Sequence, residues 1–90
     1  MMRAVTNEPE ALVVALQALG ATLSDDRRAQ RLLDMSGIDP SDLRQRASDP
    51  TLLAAVLRFL EAHEPDLVAV AEEIGRKPEE LVAVRTALEA

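Results

Sequence analysis

The sequence predicts an all-α fold: a compact orthogonal bundle of five to six short helices that start on proline and stop on glycine at their corners. Three observations lead there. Pro9, Pro40, Pro50, Pro65 and Pro78 each open a stretch of helical apolar periodicity and none interrupts one. Gly37 and Gly75 directly follow such stretches. No stretch alternates apolar and polar residues as a half-buried strand would. Ninety residues make one domain, expected over 1–90 with 1–7 as a flexible tail. A chain this short buries only about 60–65% of the surface exposed when unfolded, so the core is thin. Phe59 is the single aromatic residue, which leaves Ala, Leu and Val to fill that core.

The helices are predicted over 8–20, 25–36, 40–47, 50–63, 65–74 and 78–89. Proline suits a first helical turn because its missing N–H has no intrahelical acceptor and its fixed φ already fits. Asp39 and Asp49 precede two of these prolines and are good N-caps. Lys77, before Pro78, is an unusual cap. In the first helix Leu12, Leu16 and Leu19 recur at i, i+4 and i+7, which predicts a buried stripe. The second and third helices end near Gly37 and residue 47. The fourth carries Leu53, Val56, Leu57 and Leu60, with Phe59 beside them, and is expected at the centre. Leu67, Val70, Ala71 and Ile74 repeat the pattern in the fifth, and Leu81, Val84 and Leu88 in the sixth. Gly37 to Leu43 is echoed by Gly75 to Leu81 at an offset of 38 residues. The plainer reading is corner chemistry, since short helix connections stop on Gly and restart on Pro; duplication of a helix-corner-helix unit is the alternative.

Residues that carry chemistry are few. The absence of cysteine removes disulfides, thiolate nucleophiles and cysteine zinc sites together. His63 is the sole histidine, and with Glu61, Glu64 and Asp66 it lacks the nitrogen or sulfur donors a zinc site prefers. Its expected role is to meet the last-turn carbonyls of the fourth helix. Ser24, Ser36, Ser41 and Ser48 sit where helices start or stop and read as caps. There is no Gly-x-Ser-x-Gly elbow and no phosphate-binding glycine pattern. Glu72-Glu73 and Glu79-Glu80 read as solvated charges. No catalytic residue, cofactor, metal or small-molecule ligand is predicted.

Charge is uneven. The net charge is −6, yet residues 27–58 hold six Arg against four acids and residues 59–90 three basic residues against eight acids. Arg27, Arg28 and Arg31 lie within one turn, and Arg44 and Arg46 follow. These five form the candidate interaction patch, suited to an acidic protein surface or a phosphate, while the plainer reading is a solvated face with Arg28 near Asp25 and Arg31 near Asp34. Residues 65–88 also carry helix-turn-helix spacing, with Val70, Ala71, Ile74, Gly75, Leu81 and Val84 at the expected positions. Against nucleic-acid binding, Arg76 follows the glycine and the second helix opens Pro78-Glu79-Glu80, placing two acids toward phosphates.

The segments Leu32-Leu33-Asp34-Met35-Ser36-Gly37-Ile38-Asp39-Pro40-Ser41-Asp42-Leu43-Arg44 and Asp49-Pro50-Thr51-Leu52-Leu53-Ala54-Ala55-Val56-Leu57-Arg58-Phe59-Leu60 carry a resemblance. Ala71-Glu72-Glu73-Ile74-Gly75, Pro78-Glu79-Glu80 and Arg85-Thr86-Ala87-Leu88 continue it. Together they resemble a family of short, acidic, helical bacterial proteins, mostly from alphaproteobacteria, known as a domain of unknown function. Around residues 67–71 the family looks more aromatic and Leu-rich than this chain. The resemblance implies a bacterial helical domain and no site.

The N-terminus turns polar after Arg3, unlike a secretory signal, and no apolar run approaches the roughly 20 residues that span a bilayer. A cytoplasmic location without membrane contact is expected. The function expected is a non-enzymatic protein-interaction module, with an unknown protein partner or self-association. Nucleic-acid binding through the corner at 65–88 is the alternative.

Overall fold

The computed structural model describes residues 8–90; the expectation for 1–7 lies outside them. Six helices run in order: α1 Glu8–Leu23, α2 Asp26–Ser36, α3 Pro40–Gln45, α4 Pro50–Glu61, α5 Glu64–Glu73 and α6 Pro78–Glu89. They form an all-α bundle around one core, and no strand occurs among the described residues. The radius of gyration, 12.1 Å, is that of a folded chain of this length.

The corners follow the chemistry of their residues. Asp25, Asp39 and Asp49 hold extended backbone, and their carboxylates accept from the N–H groups of Arg28, Ser41 and Thr51. Each satisfies one donor that a helix start leaves without an internal acceptor. Lys77 offers no acceptor, so Glu80 reverses the arrangement: its Oε1 accepts from the Lys77 N–H at 2.9 Å. Gly37 and Gly75 end α2 and α5 at φ of +70° and +71°. At the second stop the Gly75 N–H reaches the Glu72 carbonyl and the Arg76 N–H the Ala71 carbonyl, a Schellman closure. At Gly37 the glycine N–H reaches the Leu33 carbonyl and the Ile38 N–H the Ser36 hydroxyl, so the two corners share a left-handed glycine but not the closure, and α3 has 6 residues where α6 has 12.

Two helices share the centre. Both α1 and α4 pack against α2, α5 and α6 as well as each other. In α4 the predicted stripe is buried in full, with Leu53, Val56, Leu57 and Leu60 at most 1% exposed and Phe59 partly covered at their edge. Leu67, Val70 and Ala71 of α5 and Leu81 and Val84 of α6 close the core.

The first helix departs from expectation in two ways. It continues through Gly20 to Leu23, because a glycine inside a helix weakens it without ending it. Its buried face is Ala11, Val14, Ala15, Ala18, Leu19 and Thr22, not the Leu12, Leu16, Leu19 stripe. Leu19 is common to both, Leu12 is half-buried, and Leu16 faces outward at 38% exposure. The helix is apolar nearly all round, so periodicity could not choose a face. Packing chose the one with three alanines, whose small side chains suit a helix held between others. Thr22, fully buried, satisfies its hydroxyl by donating to the Ala18 carbonyl at 2.8 Å.

Candidate interaction surface

The arginines singled out in the sequence stand on three different grooves. Arg27, Arg28 and Arg31 line one between α2 and the start of α5, together with Asp25, Asp26, His63, Pro65 and Asp66. Arg44 rims a small apolar groove formed by Leu19, Leu23, Leu33 and Leu43. Arg46 lies on the largest, of about 520 Å³, with Met35, Ile38, Ala55, Arg58 and Phe59.

Several of these arginines are already engaged. Arg28 is buried; its Nη2 donates to Glu73 Oε2 at 2.7 Å and to the Ala21 carbonyl at 3.0 Å, tying α2 to α5 and α1. Its Nε is buried without an acceptor. Arg31 pairs with Asp66, which is itself only 9% exposed. Neither takes the same-helix carboxylate foreseen for its guanidinium; Asp25 is bonded instead to the Arg28 backbone, and that N–H lowers its pKa. Arg46 donates from Nε and Nη2 to Asp49, which holds the carboxyl below its ordinary range while it caps α4.

A second network joins α4 to α6. Arg58 donates to both oxygens of Glu89, at 2.6 and 3.0 Å, and lowers the Glu89 pKa. Arg85 forks onto Glu61 and reaches Glu89 at 2.8 Å, so its own pKa is raised chiefly by the Glu61 bond. Planar guanidinium groups suit such two-pronged contacts. Sequence reading missed the pairs that join different helices, because those partners lie 24 to 45 residues apart.

These pairs change the meaning of the charge asymmetry. Arg28, Arg31 and Arg58 belong to the arginine-rich segment, and Glu73, Asp66 and Glu89 to the acidic one. Half of the six arginines in 27–58 are therefore matched internally to acids in 59–90. Arg27 and Arg44 make no side-chain hydrogen bond or ion pair among the described residues.

His63 is the N-terminal flanking residue of α5. Its backbone N–H donates to the Leu60 carbonyl, but its side chain makes no hydrogen bond among the described residues, so the expected contact belongs to the backbone alone. No group of three His, Cys, Asp or Glu residues with metal-binding geometry occurs among them. No helix among them is long and apolar enough to cross a membrane.

At the α5–α6 corner, Leu81 and Val84 turn inward. The outward side of α6 carries Glu79, Thr86 and Glu89, while Arg76 and Arg85 are occupied by Glu80 and Glu61. A helix presenting acids with its cations paired offers phosphates little attraction.

The architecture defines an all-α domain of six short helices with ion pairs binding its second, fourth, fifth and sixth helices. The chain belongs to the family described as "Protein of unknown function (DUF3572)", whose model matches residues 8–90. No curated protein and no solved structure matches it.

Proposed function

We propose that this chain is a non-enzymatic protein-interaction module of the bacterial cytoplasm. The observation that carries the reading is the groove at Met35 and Phe59. It gathers the most exposed large apolar side chain of the described residues, Met35 at 72%, with Ile38, Ala55 and the one aromatic ring. Although the chain has 16 acids, none lines this groove, and its two charged lining residues are Arg46 and Arg58. Both arginines are well exposed, where solvent screens their ion pairs, so they can exchange carboxylates with a partner at little cost. Methionine adapts its unbranched side chain to varied apolar surfaces. An apolar partner segment flanked by acidic residues suits such a groove.

The test is affinity capture of the tagged protein from extract of its own cells, with and without nuclease, followed by mass spectrometry. A stoichiometric protein retained after nuclease, and lost with Met35→Glu, is the expected result. Retention only without nuclease would transfer the reading to nucleic acid and direct attention to Arg76 and Lys77.

A further inference from the structure

The outer face of α1 points to a second partner. Val13, Leu16, Gly20 and Leu23 are exposed there and recur at i, i+3, i+7 and i+10, the spacing of alternating core positions in a two-helix coiled coil. From Ala11 to Ser24 the chain has no charged residue, although 29% of the whole is charged. The polar residues on this face, Gln17 and Ser24, are neutral.

Gly20 is the second observation. It is helical, its φ is not positive, and a Cβ added to it would meet nothing within 4 Å. In a helix interior glycine is less favourable than alanine by about 1 kcal/mol. Nothing inside the chain requires that sacrifice, whereas close approach of another helix would.

We infer that this face is an interface between two copies of this chain, with α1 packed antiparallel on α1 about a two-fold axis level with Ala18. The stripe is symmetric about that position: 16 and 20 lie equally far from it, as do 13 and 23. Antiparallel packing sets Leu16 of each copy over Gly20 of the other, and Val13 opposite Leu23. A side chain then fills the space that each glycine leaves. Parallel packing would set leucine on leucine and glycine on glycine, with a clash and a void. A closed two-fold interface requires this kind of self-complementarity. Electrostatics agree, because the copies, each at −6, meet where neither carries charge.

A helix of 16 residues offers a seam of about 24 Å. One such seam falls below the roughly 1,200 Å² of a stable complex, so the dimer is weak.

Sedimentation velocity from about 10 μM to 1 mM, the range in which a weak dimer forms, tests the interface. The expected result is a mass rising from 9.8 kDa toward twice that value, undiminished by salt because no ion pair holds the seam. Leu16→Glu abolishes the rise with an unchanged helical circular dichroism spectrum. Gly20→Leu, whose side chain enters open space in the single chain, weakens association at least tenfold, a loss of about 1.4 kcal/mol. A constant mass up to the highest concentration, or association unaltered by either variant, would overturn the inference. If a different protein covers this face, the mass stays constant and Leu16→Glu loses a captured protein instead; that too overturns it. The inference does not rest on the groove at Met35. A dimer that captures no other protein leaves it standing while removing the proposed function, and capture by a strict monomer does the reverse.

Discussion

Leu57 and Leu16 have the same side chain and opposite surroundings, at 1% and 38% exposure. Truncating a fully buried leucine loses its transfer free energy and leaves a cavity, so Leu57→Ala should cost about 2–5 kcal/mol in urea unfolding. Leu16→Ala, measured at low protein concentration, should cost less than about 1 kcal/mol. The same-sized loss at both positions would contradict the packing of α1 and α4 described above. Titration makes a second prediction at this scale. Asp25 is lowered by the Arg28 N–H, Asp49 by the Arg46 side chain, Glu80 by the Lys77 N–H and Glu89 by the Arg58 side chain. A depressed carboxyl contributes stability that is full above its unfolded value and is lost as pH falls through its folded one. The urea midpoint should therefore hold through neutral pH and decline below about pH 4.5, where carboxyls titrate in the unfolded chain. A midpoint rising on acidification from pH 5 to 3 would contradict these contacts. The raised pKa values of Arg46, Arg58 and Arg85 add nothing in this window, since those groups stay charged throughout it.

Helices are governed by their ends and by the residues they tolerate inside. Gly20 and Gly75 both have open space where a Cβ would stand, so substitution by alanine isolates the backbone. Gly75 sits at φ +71°, a conformation that costs an L-residue roughly 1–2 kcal/mol, and Gly75→Ala should destabilise by about that amount. Gly20 is helical, so Gly20→Ala should stabilise the isolated chain by up to about 1 kcal/mol, raising Tm by a few degrees. Thermal melts of the two variants at low concentration, compared with the parent, give opposite signs on this account. The helix starts were the most legible elements, because Asp39-Pro40 and Asp49-Pro50 encode their caps within two or three residues. The end of α1 was less so: after Gly20 the next residues still satisfy helical bonds, and the stop comes only at Leu23, two residues before the Asp25 cap.

At the scale of the molecule, distant segments are joined by opposite charges. The Arg31–Asp66 pair is the most enclosed carboxylate contact, with the Asp66 side chain only 12% exposed. Arg31→Met strands that carboxylate and should cost about 1–3 kcal/mol. Adding Asp66→Ala should restore part of the loss, because a buried charge without a partner costs more than no charge at all. A double-mutant cycle in urea measures the difference; strictly additive effects would mean that the pair contributes nothing. The pairing also explains why a patch of five arginines, read as one surface along the chain, is divided in space. Arg28 points inward, Arg31 is matched to α5, and Arg44 and Arg46 stand on other grooves.

What the sequence determined by itself are the properties that neighbouring residues decide. Proline, aspartate and glycine spacing set five of the six helix starts and the two left-handed stops, and strong i, i+3, i+4 periodicity set the inward faces of α4, α5 and α6. The tertiary structure alone decided the rest. The buried side of α1 depends on which neighbours close over it, because a helix apolar on nearly every side carries no directional signal. The fate of each arginine depends on which carboxylate folding brings near, a fact of three-dimensional distance that no spacing along the chain encodes.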